Sequence, residues 1–148
     1  MNASASNTSA TFHEGMQTLR QISFGLLDIA WHGKDPSSIK NVKEFETLSF
    51  SATQLYPDVK NNCMSTSFSH IFQGGYSAGY YSYKWAEVLD ADAFKYFKDH
   101  GIFNKKIAAK FKDTVLSQGG TCDPLELYIK FKGSKPNPEA HLKRAGLI

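Results

Sequence analysis

Cysteine is scarce in this chain: Cys63 and Cys122 are the only two among 148 residues. That excludes the disulfide framework that holds small secreted domains together. A reduced, cytoplasmic setting is the expectation, with the periplasm as the alternative and a single Cys63–Cys122 pair left open. Long apolar runs are also missing. Blocks such as Phe24-Gly25-Leu26-Leu27 fall far short of the roughly 18 residues of a membrane span, so no membrane partner is expected. The formal net charge is only +3 and the basic residues are dispersed, which argues against a nucleic-acid partner. Lys105-Lys106 and Lys110 with Lys112 sit inside an amphipathic pattern and read as a solvated helix face. The opening MNASASNTSA has neither a basic nor an apolar block of the kind a secretory signal needs. Residues 1–11 read as a flexible lead-in, and the short sequons at Asn2 and Asn7 carry little weight. Strand signals are weak, and no hairpin dipeptide lies between alternating segments.

What remains is 41% hydrophobic and 14% aromatic, enough for a packed core in one domain over residues 12–148. The periodicity predicts an all-α fold, a bundle of about five to six helices with a glycine-rich loop before the longest. Phe12, Met16, Leu19, Ile22, Leu26 and Ile29 recur at steps of three and four, marking one face of a helix that ends near Gly33. Val42, Phe45, Leu48 and Ala52 place a second helix over about 38–55, followed by a loop over 57–69. A third should run from about Ala78 to His100, anchored by Trp85, Val88, Leu89, Phe94 and Phe97. A fourth spans Asn104 to Gln118. A fifth opens at Asp123-Pro124-Leu125-Glu126, with Asp as the cap, Pro at the first helical position and Glu at the third. A last turn follows Asn137-Pro138.

Few patterns here carry metal or hydrolytic chemistry. His13-Glu14 begins an HExxH zinc helix but fails it, because position 17 is Gln and the second imidazole is lost. The remaining histidines and the two cysteines have no ligand spacing, so no metal-binding residue is assigned. Asp90 and Asp92 are two apart on a helix, point to different faces and read as solvated carboxylates. The segment Phe68–Leu89 stands out. It gathers His70, the glycine pair Gly74-Gly75, and Tyr76, Tyr80, Tyr81 and Tyr83. Tyr76, Tyr80 and Tyr83 are spaced four and then three, so on a helix or its approach they share a face. Tyr81 is rotated away and is expected to pack. Glycine admits a ligand close to the backbone, and phenols and imidazoles donate hydrogen bonds to developing negative charge. An aromatic core stripe is the competing interpretation of the same spacing.

The run Phe68-Ser-His-Ile-Phe-Gln-Gly-Gly-Tyr-Ser-Ala-Gly-Tyr-Tyr-Ser-Tyr-Lys-Trp85 resembles a signature of the thimet oligopeptidase, oligopeptidase A and peptidyl-dipeptidase Dcp family of zinc metallopeptidases. The similarity extends from FHEGMQTLRQISFGLLDIAWH to Phe131-Lys-Gly and Arg144-Ala-Gly-Leu. That resemblance implies a helical enzyme that hydrolyses short peptides in a channel, using zinc. It implies catalytic roles for His70, Tyr80 and Tyr83, with Tyr80 and Tyr83 donating toward the tetrahedral intermediate, and substrate contacts from Gly74, Gly75 and Tyr76. Lys132 stands where many relatives carry arginine.

The family's zinc helix and third ligand lie upstream of the matching region and are not in this sequence. The expectation is therefore the C-terminal, substrate-binding and transition-state-stabilising part of such an enzyme, inert alone. Its partners would be a short peptide and the N-terminal part of the catalytic domain, and self-association through uncovered apolar faces is a further expectation. The alternative is a stand-alone, non-catalytic helical module that binds peptides.

Overall fold

The computed structural model describes Ser9 and residues 11–148. Most of the lead-in expected over 1–11 thus lies outside the described residues. Among those described the chain is all helical, without a strand. The helices are α1 (Glu14–His32), α2 (Val42–Phe50), α3 (Ser69–Phe72), α4 (Ser82–His100), α5 (Lys105–Phe111), α6 (Pro124–Lys132) and α7 (Glu139–Arg144). Short 3-10 turns occupy Pro36–Ser38 and Met64–Thr66. The chain separates into two compact units that divide within α4, after Trp85.

In the first unit, Leu27, Phe68 and Ile71 form the buried centre, with Phe24, Trp31, Phe50, Met64 and Tyr80 against it. The α1 stripe expected to be buried is largely not. Phe12, Ile22, Leu26 and Ile29 are exposed, and Gly25, Leu27 and Asp28 are buried instead. The reason is a second helical period on the adjacent flank, Phe24, Leu27 and Trp31, and the core takes that one. α2 is shorter than the helix expected over about 38–55, and Asn41 caps its start. The Glu44 N–H donates to the Asn41 side chain at 3.1 Å.

Glu46, on the inner side of α2, is almost completely buried. It accepts from the Ser65 N–H at 2.6 Å, the Ser65 hydroxyl at 2.8 Å and the Met64 N–H at 3.0 Å. It thereby ties the irregular chain before Phe68 to a helix. Trp31 of α1 joins the same group, donating from Nε1 to Ser65 Oγ at 3.1 Å.

In the second unit, Phe131 is fully buried. Its ring lies 4.9 Å from that of Phe111, 5.0 Å from Tyr96 and 5.8 Å from Phe97. α6 begins as its sequence predicts. Asp123 accepts from the N–H groups of Leu125 and Glu126 ahead of Pro124, and Gly133 ends the helix at φ 88°. The expected helix over 104–118 is interrupted. After Phe111 the chain widens into a π-helix over Lys112–Leu116, closed by the Ser117 N–H on the Lys112 carbonyl at 2.8 Å. On α4, Phe94 and Trp85 are exposed while Ala91, Asp92 and Ala93 are buried.

Asp92 is not the solvated carboxylate its sequence position predicts. It is buried, accepts from the Tyr128 hydroxyl at 2.6 Å, and meets Lys132 Nζ through both oxygens at 2.6 and 2.8 Å. Burial, with the Asp92 carboxylate beside it, pushes the Tyr128 phenol far above its ordinary range. Asp90 does face solvent, paired with Arg144 at 2.6 Å. Cys63 and Cys122 are free thiols.

Two stability tests follow from this packing. Phe131→Ala should cost about 3–5 kcal/mol in urea unfolding, through the burial lost and the cavity left among Tyr96, Phe97 and Phe111. For Glu46, burial opposes ionisation. The bonds from Ser65, Met64 and Lys43 outweigh it and hold the carboxyl below its ordinary value. Its contribution to stability is therefore complete above the ordinary glutamate range and is lost as pH falls through the lower folded value. Glu46→Gln should flatten that part of the stability–pH curve, and an unchanged curve would rule the contribution out.

Candidate functional site

The segment from Ser69 to Tyr83 folds as one short helix, a turn and the start of another. α3 carries His70 and Ile71, and Ile71 is fully buried and anchors the helix. The chain then leaves the helical region. Gly74 adopts φ 90°, a conformation that a side chain would strain, and nothing lies within 4 Å of where a Cβ would stand on Gly74 or Gly75. Both glycines face open space. Ala78 follows at φ 55°, which is unusual for a residue with a side chain. The Gly79 N–H closes the turn on the Tyr76 carbonyl at 2.8 Å, and the Tyr83 N–H on the Tyr80 carbonyl at 3.2 Å leads into α4.

This path brings the four ring residues singled out in the sequence into a continuous row. The His70 and Tyr76 ring centres are 5.7 Å apart. Tyr76 stacks on Tyr83 at 5.3 Å with an interplanar angle of 19°. Tyr83 meets Tyr80 at 5.0 Å. Tyr76 and Tyr83 are exposed at 36% and 40%, so the row lies at a surface and is not the sealed stripe of the competing interpretation. His70 is exposed as well. Tyr81 is exposed and not packed. With Tyr80, Tyr83 and the uncovered Ile22, Leu26 and Ile29 of α1, it lines a cavity of about 150 Å³.

Tyr80 is the most tightly held of the row. Its ring lies edge-on to Phe24 at 5.8 Å and to Phe68 at 5.2 Å, and its hydroxyl donates to Gln21 Oε1 at 3.1 Å. Burial raises the Tyr80 phenol above its ordinary value, opposed by the positive charge of Arg20 and by the bond to Gln21. Tyr83 is raised first by its hydrogen bond with the Tyr76 phenol. Both are neutral donors throughout the physiological range.

Two features went unread in the sequence. The first is Asp28, which belongs to no motif. It is completely buried, accepts from the Ala78 N–H at 2.8 Å and from the Tyr80 N–H at 2.9 Å, and has His32 Nδ1 at 2.8 Å. Gln21, Phe24 and Asp28 fall at spacings of three and four on α1, and all three meet Tyr80. That register was the available signal. The second is Gly75-Tyr76-Ser77-Ala78-Gly79, which has the Gly-x-Ser-x-Gly spelling of a nucleophile elbow. The elbow needs a strand before the serine. Here the described residues form none, and the Ser77 hydroxyl donates to the Ile71 carbonyl at 3.0 Å. The match is one of spelling only.

Among the described residues no group of three or more His, Cys, Asp or Glu side chains could hold a metal ion. His70 sits among Phe68 and Tyr76 rings. The described residues do not fit a zinc site. Among the described residues no helix is long and apolar enough to cross a membrane.

Comparison with known proteins gives this helical, tyrosine-bearing chain its class. Residues 2–147 match peptidase family M3. The chain belongs to that family of peptide-bond hydrolases. It is 41% identical over 143 residues to "Probable cytosolic oligopeptidase A" of Arabidopsis thaliana, covering 93% of this chain and 20% of the relative. It is 41% identical over 131 residues to oligopeptidase A of Escherichia coli, covering 87% and 19%. Against the dipeptidyl carboxypeptidase of Salmonella typhimurium the identity is 33% over 138 residues, covering 92% and 20%. The chain thus spans about a fifth of the length of these relatives.

A spectrophotometric titration of the tyrosines tests the geometry. Tyr80 should form its phenolate above the ordinary tyrosine value of 10.0, and Tyr80→Phe should remove a late-ionising component. Loss of an early component in its place would mean that the hydroxyl is not buried against Gln21.

Proposed function

We propose that this chain is the substrate-binding and oxyanion-stabilising part of an M3 peptidase acting on short peptides. The observation that carries this is the unbroken row His70–Tyr76–Tyr83–Tyr80 at a surface, beside two glycines open to approach. A peptide laid along Gly74 and Gly75 can bring its main chain close, because no side chain intervenes. Tyr76 would bear on the bound peptide, and His70 would contact it from the end of the row. Tyr80 and Tyr83, held protonated, would donate to the carbonyl oxygen as it gains negative charge. A donor of this kind is worth about 3 kcal/mol when it is aimed at the oxyanion. The bond from Tyr80 to Gln21 holds that phenol ready and would be exchanged for the substrate.

On this interpretation the hydrolytic metal is held by residues other than those described. The chain alone would bind peptide without cleaving it, in a cytoplasmic setting. The names of its relatives, oligopeptidase A and dipeptidyl carboxypeptidase, support short peptides as the substrate class.

Metal analysis and a quenched-peptide assay on the purified chain should detect no metal-dependent turnover. Turnover by this chain alone would overturn the inert assignment. In a tryptophan fluorescence titration, a short peptide should bind saturably, and Tyr80→Phe and Tyr83→Phe should each weaken it by about threefold to tenfold, the loss of one hydrogen bond. Absence of binding would remove the peptide site.

A further inference from the structure

The tyrosine row depends on a turn whose shape the backbone does not favour by itself. Ala78 at φ 55° occupies a region that side-chain-bearing residues seldom enter, and the N–H groups of Ala78 and Tyr80 point inward. Both are met by one carboxylate. Asp28 Oδ1 takes the Ala78 N–H and Oδ2 takes the Tyr80 N–H, from a residue with no exposure to water. The acceptor geometry is bidentate, so it fixes direction as well as distance. It also spans both sides of Gly79, where the chain changes course. Gln21, seven positions earlier on the same helix, holds the far end of the Tyr80 side chain. α1 therefore grips Tyr80 by its backbone nitrogen and by its hydroxyl.

We propose that Asp28 is a positioning residue for the tyrosine site: its buried carboxylate holds the 78–80 turn in the one shape that lines up the phenols of Tyr76, Tyr80 and Tyr83. This rests on the peptide-binding assignment for that row. Asp28 touches no substrate. It acts through Ala78 and Tyr80. Without the carboxylate, Ala78 relaxes toward negative φ, the Tyr80 N–H loses its partner, and the row loses its common face while the core around Leu27, Phe68 and Ile71 stays packed.

The test uses the full chain and the isosteric variant Asp28→Asn, which keeps one acceptor and sets an amide donor against the other N–H. Amide hydrogen exchange by NMR should speed up about tenfold or more at Ala78 and Tyr80 and stay unchanged through α2 and α6. Peptide affinity in the fluorescence titration should fall about tenfold. In the double variant, Tyr80→Phe should cost much less than it does in the wild-type chain, because its hydroxyl is already misplaced. Unchanged exchange at the two amides would overturn the proposal. So would strictly additive effects of the two substitutions on affinity. Should Asp28→Asn not fold, Asp28→Glu displaces the same two acceptors by one methylene and carries the same readouts. If the wild-type chain binds no peptide, the peptide site fails, and with it the positioning role. The exchange rates would then still report separately whether the clamp exists.

Discussion

A carboxylate removed from water must find its partners inside the protein, and at Asp28 they are the backbone N–H groups of Ala78 and Tyr80, with His32 Nδ1 beside them at 2.8 Å. That exchange determines much of what the first unit looks like. It places an acidic residue on the inner flank of α1, among Phe24, Leu27 and Trp31, where an apolar side chain would otherwise sit. It gives an irregular turn the partners that a helix or sheet would have supplied. It also sets the direction in which the chain enters α4, and so the face on which Tyr80 and Tyr83 emerge.

The same solution recurs at Glu46 and Asp92. Glu46 accepts the Met64 and Ser65 N–H groups ahead of the Phe68 anchor. Asp92 binds the Tyr128 hydroxyl and the Lys132 ammonium. In each case a regular helix supplies the acid, and residues from a separate part of the chain supply the donors. Lys132 reaches both oxygens of Asp92.

Much of the helical framework was legible because helix ends are written locally. Asp123 and Gly133 act within three or four residues of themselves, and each lies where its type predicts. The gathering of Tyr76, Tyr80 and Tyr83 was legible for a similar reason, since a spacing of four and three keeps side chains together even when part of the segment is turn rather than helix. The burial of α1 was not. Ile22, Leu26 and Ile29 make as good a stripe as Phe24, Leu27 and Trp31, and periodicity alone cannot choose between two flanks. Asp28 and Asp92 were missed on different grounds. Their partners lie 50 and 36 positions away or more, and a lone acid on a helix looks solvated until the fold brings donors to it. The π-helix over Lys112–Leu116 leaves no mark in composition at all.

Two bonds on one buried acid have a consequence for how the turn lets go. Releasing only the Ala78 N–H would strand a buried backbone donor and leave Oδ1 with His32 alone, at a cost of roughly 1–3 kcal/mol with little freedom gained in return. Half-open forms are therefore the scarcest members of the ensemble. The turn from Ala78 to Tyr80 is therefore expected to open as one unit and not bond by bond.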